Sequence, residues 1–134
     1  MKDLPESLGG VRFVQISDTH LGPHVPAVFI QQALDEAIAL KPDIFLLTGD
    51  YVSRSSQFID AAAAQLGALV DASDASRPPL GVLGNHDWYA DGPASREALS
   101  AVGIRMIDNT RVFLDGSTRR IVSEPTAECL CIAG

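Results

Sequence analysis

Short apolar runs alternate along the chain with longer stretches in which apolar residues recur every three or four positions. Each short run is rich in Val, Ile, Leu or Phe and ends in a polar or glycine-containing cluster, as buried strands do. The longer stretches have the period of an amphipathic helix. The predicted strands cover 11–17, 43–48, 80–84 and 104–107, and the predicted helices cover 27–40, 58–70 and 93–102.

Proline, serine and glycine mark the helix boundaries. Pro26 precedes the first helix, and Ser55 or Ser56 is the expected N-cap of the second. Pro93 suits the first position of the third helix, and Gly103 suits its left-handed C-terminal cap. The sequence therefore predicts three helices with defined ends.

The order of these elements predicts an α/β fold. Strands and helices alternate as βαβαβαβ, which implies a mostly parallel sheet with right-handed crossovers and helices on its faces. After the fourth strand, "RVFLDGSTRRIV" predicts a hairpin and "CLCIA" predicts a last strand. The length of 134 residues fits a single domain over 1–134. In a parallel sheet the carboxyl ends of the strands share one edge, where ligands bind.

Composition narrows the classes of function. A net charge of −7 argues against a nucleic-acid partner, which needs a basic face, and against unaided docking on an anionic membrane. Cys129 and Cys131 are too few for a disulfide scaffold, so we expect buried thiols in a reducing compartment. No signal-peptide pattern and no apolar run of the roughly 18 residues of a membrane span are found. We therefore expect a cytoplasmic protein, at most peripheral to the inner membrane, with no transmembrane segment.

Polar clusters follow three of the predicted strands. "SDTH" ends the first strand, "TGDYV" the second and "GNHDW" the third, so parallel pairing brings them to one edge of the sheet. Carboxylate, imidazole and amide donors suit manganese, iron or zinc, and two such ions can clamp the oxygens of a phosphoester during hydrolysis. Asp50 is the candidate to bridge them. The clusters contribute Asp18, His20, Asp50, Asn85, His86 and Asp87.

Each cluster alone also has an ordinary structural interpretation. An Asp after a strand, such as Asp18 or Asp50, is commonly a turn residue or a helix N-cap. "GNHD" alone fits a turn with left-handed residues. The joint occurrence of three clusters at strand ends favours the metal site. We expect His24 to lie in solvent, while Trp88 and Tyr89 fit either packing beside the pocket or stacking on a substrate.

Three segments carry a resemblance to a known family. "ISDTHLG", "PDIFLLTGDYV" and "GVLGNHDWY" resemble the first three motifs of the calcineurin-like metallophosphoesterases. The flanking sequence is similar to the bacterial branch that includes UDP-2,3-diacylglucosamine hydrolase-like enzymes and related phosphodiesterases. The resemblance implies half of a metallophosphoesterase β-sandwich, a phosphomonoester or phosphodiester hydrolase, and a small-molecule or lipid-linked phosphoester substrate.

The resemblance also implies a role for each candidate residue. Asp18 and His20 would bind the first of two divalent metal ions, Asp50 would bridge both, and Asn85 would bind the second. The nucleophile would be a metal-bound hydroxide, because coordination lowers the pKa of water.

The catalytic residues that the resemblance implies are His86 and Asp87. His86 would protonate the leaving oxygen or stabilise charge on it, rather than bind a metal. Asp87 would orient His86 through a hydrogen bond, which is a common arrangement around catalytic histidines.

One departure from the family is clear. The family has further histidine ligands in a "G-H-x-H" element, whereas this chain has His20, His24 and His86 and none later. We therefore expect the N-terminal half of a metallophosphoesterase domain. A non-catalytic relic that binds one metal weakly, or serves as a partner surface, is the alternative. An aspartyl-phosphate phosphatase needs an Asp at position 20, and a dinucleotide site needs G-x-G-x-x-G, so neither pattern is met.

Overall fold

Two β-sheets and a helical layer make up the computed structural model, which describes residues 4–134. The first sheet contains β1 (Phe13–Ile16), β2 (Ile44–Leu47), β3 (Leu80–Gly81) and β4 (Arg105–Met106). The second contains β5 (Arg111–Asp115), β6 (Ile121–Val122) and β7 (Cys129–Ala133). The helices are α1 (Ala27–Ala39), α2 (Ile59–Asp71) and α3 (Asn85–Ala101), with 3-10 turns at Glu6–Leu8 and Ser56–Phe58.

The first sheet is parallel and its strands lie in the order β1-β2-β3-β4. Phe13 pairs with Ile44 and Ile16 with Leu47, so β1 and β2 end at the same level. The second sheet is antiparallel, with β5 between β6 and β7. The α/β class, the parallel sheet and the C-terminal hairpin with its added strand are confirmed.

All three helices pack on one face of the parallel sheet, and the antiparallel sheet covers the other face. Leu34, Leu66 and Leu99 from the helices join one buried cluster, while Val112 and Leu114 of β5 join another. The helices predicted to cover the sheet thus all lie on one of its two faces. When strands are added in one direction by crossovers of one hand, every helix falls on the same side. None of the helices formed by residues 4–134 has the length and apolar character that crossing a bilayer requires.

Strand β2 is the centre of both cores. Phe45 and Leu47 face the helices, whereas Ile44 lies in the cluster between the two sheets. All three side chains are at most 1% exposed. Burial of each such side chain stabilises the fold by about 1.5–3 kcal/mol. The continuous apolar run "DIFLLT" is explained by this two-sided burial.

The third helix begins earlier than predicted. It starts at Asn85, directly after the short strand β3, and bends at Asp91, whose φ of 179° and ψ of 96° are extended. Asp91 Oδ1 accepts a hydrogen bond of 3.0 Å from the Ala94 N–H, so it caps the second segment of the helix. Pro93 therefore lies in the first turn of that segment, close to its predicted place. Gly103 has the predicted left-handed φ of 100°.

The cysteines are not core residues. Cys129 is half-buried and Cys131 is exposed, both as free thiols, so the expectation of buried thiols was wrong. Leu130 and Ile132 of the same strand pack against the cluster between the sheets instead. Side chains alternate across a strand, so the cysteines face the opposite side.

Candidate metal centre

The loops that follow β1 and β2 run side by side beyond the ends of the strands. The N–H of Asp18 donates to the Gly49 carbonyl at 3.1 Å, and the N–H of His20 donates to the Asp50 carbonyl at 3.0 Å. The parallel pairing therefore continues into the polar clusters. As a result, the side chains of the two clusters lie next to each other.

His20, Asp50 and His86 form the tightest group of potential metal ligands. One donor atom from each lies within 4.8 Å of the donors of the other two. His20 Nε2 is 3.8 Å from Asp50 Oδ2 and 3.4 Å from Asp18 Oδ1. Ligands bound to one ion at about 2.0–2.2 Å lie roughly 3–4 Å apart. The donor set and these distances fit a divalent ion.

The candidate ligands have an unusual backbone conformation. Asp18, His20 and Asp50 have positive φ angles of 58°, 45° and 57°. A left-handed conformation is uncommon for residues other than glycine, and it persists only where the surroundings enforce it. Asp and His are among the residues that tolerate it best. The clusters after β1 and β2 are therefore held in a geometry that the chain would not choose locally.

Two glycines allow the loops after β2 and β3 to touch. A Cβ placed on Gly49 would meet the Gly84 nitrogen at 2.3 Å, and one placed on Gly84 would meet Asp50 Oδ1 at 2.1 Å. Gly49 also has a φ of 93°. A side chain at Gly49 would displace the backbone of Gly84, and one at Gly84 would displace Asp50.

His86 is oriented by the loop after β2. Its Nδ1 hydrogen-bonds the Ser53 carbonyl oxygen, and its backbone N–H donates to Asp50 Oδ1 at 2.9 Å. A carbonyl oxygen only accepts, so Nδ1 carries the hydrogen and Nε2 is left for a ligand or a proton. The rings of His86 and His20 lie edge to face with centroids 4.6 Å apart. Ser53 also donates its hydroxyl to the His20 carbonyl at 2.9 Å, so it contacts both histidines.

Asp87 does not hydrogen-bond His86, so the expected hydrogen bond between them was wrong. The fully buried carboxylate instead accepts four backbone N–H groups. Those of Asp50, Tyr51 and Gly84 lie at 2.8, 2.9 and 2.9 Å, and that of Val52 at 3.3 Å. Burial raises the pKa of Asp87, and the four N–H donors oppose that rise. Asp87 therefore fastens the first turn of α3 to the loop that carries Asp50.

Two further groups complete the electrostatics of the site. Ser17 Oγ donates to Asp18 Oδ2 at 2.5 Å, which lowers the pKa of Asp18, and the nearby His20 acts in the same direction. Burial raises the pKa of Tyr51, and the Asp87 carboxylate adds to the rise. The Tyr51 hydroxyl lies 2.7 Å from the Val82 carbonyl and ties the β2 loop to β3.

The remaining predicted residues are exposed. Asn85 is the first residue of α3 and is exposed, next to His86. His24 is exposed, as expected. Trp88 and Tyr89 are 60% and 65% exposed, so they are surface residues beside the site rather than packing residues.

Sequence reasoning missed Ser53, because the orienting atom is a backbone carbonyl. It also missed the clamping role of Asp87, because its donors come from residues 35 to 37 positions away as well as from Gly84. The motif "GNHD" indicates a functional site, but it does not indicate which N–H groups surround the Asp87 carboxylate.

The chain belongs to the calcineurin-like phosphoesterase family, whose sequence profile matches residues 11–126. The resemblance seen in the three motifs is confirmed. The chain is similar to a transmembrane protein with metallophosphoesterase domain from Danio rerio, with 34% identity over 100% of this chain and 29% of that protein. The corresponding protein of Bos taurus is 28% identical over 98% of the chain and 28% of its own length.

A bacterial relative is also similar. The UDP-2,3-diacylglucosamine pyrophosphatase LpxG of Chlamydia trachomatis is 34% identical over 60% of this chain and 24% of that protein. The chain thus spans less than a third of the length of these relatives. No solved structure is significantly similar to it.

Proposed function

We propose that this chain carries the metal-binding part of a phosphoester hydrolase that uses two divalent ions. The observation that supports this most directly is that donor atoms of the proposed ligands His20 and Asp50 and of the proposed acid His86 lie within 4.8 Å of one another at the ends of the strands. Membership of the calcineurin-like phosphoesterase family supports the reaction type. Manganese, iron and zinc all suit the oxygen and nitrogen donors of the site.

Asp18, His20, Asp50 and Asn85 are the proposed metal ligands. Asp50 is suited to a shared position because its carboxylate contacts two elements, the loop after β1 that carries His20 and the start of α3 that carries His86. Oδ2 faces His20 at 3.8 Å, while Oδ1 accepts the His86 N–H at 2.9 Å. When bound, the ions would supply Lewis acidity and lower the pKa of water enough to give a nucleophile near neutral pH.

His86 is the proposed acid of the reaction. Its Nδ1–H is held by the Ser53 carbonyl, so its Nε2 can give a proton to the leaving oxygen or stabilise charge there. Asp87 supports this role indirectly, because it fixes the turn of α3 on which His86 sits. Asp87 is therefore a positioning residue. The His86→Ala variant distinguishes an acid from a metal ligand. An acid role predicts a lower kcat with little change in metal affinity, whereas a ligand role predicts a lower metal affinity.

The substrate is a small-molecule or lipid-linked phosphoester. The name of the Chlamydia trachomatis relative supports a pyrophosphate diester among these. A domain that binds metal without hydrolysis is the competing proposal, because the group formed by His20, Asp50 and His86 offers enough donors for a single ion.

Hydrolysis of bis(p-nitrophenyl) phosphate with added manganese tests the proposal. Wild-type chain is expected to release p-nitrophenol faster than the Asp50→Asn variant. Asp35→Asn is the matched control, because it makes the same chemical change at an exposed position of α1. If wild type and Asp50→Asn are equally slow although the wild type binds the metal, the non-catalytic proposal is favoured.

A further inference from the structure

Strand β1 forms an open edge of the parallel sheet. It is the first strand in the order β1-β2-β3-β4, and no other strand of residues 4–134 pairs with its outer side. Ile16 and Asp18 direct their backbone hydrogen bonds towards the segment that continues β2. The direction of these bonds alternates along a strand, so the backbone N–H and C=O groups of Phe13 and Gln15 point outwards.

This open edge lacks the features that usually keep strands of monomers apart. Such edges are commonly interrupted by a charge, a proline or a bulge. The four residues of β1, FVQI, contain no charge and no proline, and they pair with β2 in an unbroken register. Arg12 precedes the strand and Asp18 follows it closely. Antiparallel pairing of β1 with itself therefore brings opposite charges together at both ends.

An apolar groove of about 450 Å³ lies beside the edge, between β1 and α1. Four exposed residues of α1 line it at intervals of about one helical turn, namely Phe29, Ala33, Glu36 and Leu40. Phe29 and Leu40 are 62% and 60% exposed. When two such helices pack in antiparallel orientation, Phe29 of each lies opposite Leu40 of the other. The stripe on α1 is therefore complementary to itself, as β1 is.

The exposed area of the chain is large for its mass. The chain exposes 7385 Å², whereas a folded monomer of 14.2 kDa exposes about 6800 Å². The excess of roughly 600 Å² is of the same order as the 800 Å² or so that each partner buries in a standard interface. A second copy of the chain would bring the exposed area per chain to the ordinary value or below it.

We propose that the β1 edge and the groove beside it bind a second copy of this chain. The two β1 strands pair in antiparallel orientation about a two-fold axis at Gln15. This register places Arg12 of each copy opposite Asp18 of the other, and Phe13 opposite Ser17. The two parallel sheets then join into one, and the two α1 helices lie side by side on the same face. The interface goes beyond the proposed function and requires neither metal nor hydrolysis.

Sedimentation equilibrium at increasing protein concentration, with a chelator present, tests the interface. The wild-type chain is expected to approach twice its monomer mass of 14.2 kDa. Phe29→Glu is expected to weaken the dimer by at least about tenfold, or about 1.4 kcal/mol, because it buries a charge in an apolar contact. Val28→Glu is the matched control, because Val28 is 65% exposed on the same helix but does not line the groove. Both variants should keep the far-UV circular dichroism of the wild type, because both sites are exposed.

Disulfide cross-linking tests the register. In a background that carries Cys129→Ser and Cys131→Ser, Gln15→Cys places two thiols at the two-fold axis. Paired Cα atoms there lie about 5.5 Å apart, which a disulfide can span. Phe13→Cys is the matched control, because the two residues at position 13 lie four positions apart along the paired strands, or roughly 13 Å. Mild oxidation is expected to give a covalent dimer with Gln15→Cys and little with Phe13→Cys.

Three results would overturn the proposal. The first is a wild-type chain that stays monomeric at every concentration. The second is a dimer that Phe29→Glu and Val28→Glu weaken equally. The third is cross-linking at position 13 that is as efficient as cross-linking at position 15.

Discussion

Removing the Asp87 carboxylate should destabilise the fold far more than removing an exposed aspartate from the same helix. In the Asp87→Ala variant, the N–H groups of Asp50, Tyr51, Val52 and Gly84 lose their acceptor. Each hydrogen bond to a charged group contributes about 1.5–3 kcal/mol, and the four share one carboxylate, so their effects do not add.

The Asp87→Ala variant is expected to lose about 3–4 kcal/mol of its free energy of unfolding. Three of the four hydrogen bonds are only 2.8–2.9 Å long, so together they should stabilise the folded state by more than one ordinary hydrogen bond does. The opposing term is the desolvation of Asp87, which raises its pKa and is relieved when the carboxylate is removed. A loss of this size is a large part of the roughly 5–15 kcal/mol that stabilises a domain.

Urea unfolding followed by far-UV circular dichroism measures this loss, with a chelator present so that metal binding does not contribute. Asp91→Ala is the control, because Asp91 makes one capping bond of 3.0 Å and its removal costs about 1 kcal/mol. If Asp87→Ala loses no more stability than Asp91→Ala, the clamp between α3 and the β2 loop is not a major contact and the reasoning is refuted.

Three further changes follow from the same structure. Gly84→Ala should abolish tight manganese binding in a titration, because its Cβ would lie 2.1 Å from Asp50 Oδ1, and unchanged affinity would contradict the close approach. Gly67→Ala should raise the free energy of unfolding by about 0.5–1 kcal/mol, because it removes a glycine from a helix where the nearest side-chain atom is 3.7 Å away; a loss of stability would show that α2 and α3 are packed more tightly. Hydrogen bonds from Thr126, Thr118 and Ser117 hold the pKa of Asp115 below its ordinary 3.8, so Asp115→Asn should lower the free energy of unfolding most at neutral pH and progressively less as the pH falls below about 4. A loss of free energy that stays constant down to pH 2 would contradict this.

The fold could be predicted because the apolar runs of the sequence correspond to the buried faces of its strands and helices. "DIFLLT" is buried on both faces, and the helix of 27–40 shows its period clearly, so both elements were found within a few residues. The first turns of α3 were missed for the opposite reason. The group that anchors them is the buried carboxylate of Asp87, a polar residue that hydrophobic periodicity cannot register.

The candidate ligands could be predicted because parallel topology forces strand ends together. Their hydrogen-bond partners could not, since the donors to Asp87 are fixed by tertiary contacts between separate loops. The cysteines show a similar limit. In "CLCIA" both faces of the strand are apolar, so the alternation gives no indication that Leu130 and Ile132 face the core and the thiols face away.

Manganese titration by calorimetry, comparing the wild-type chain with Asp50→Asn, tests the central claim most directly. The claim is that His20 and Asp50, which lie 3.8 Å apart at neighbouring strand ends, hold a common ion. The account predicts saturable binding by the wild type, a loss of more than about tenfold in affinity for Asp50→Asn, and wild-type affinity for Asp35→Asn. Equal manganese affinity in wild type and Asp50→Asn would contradict it.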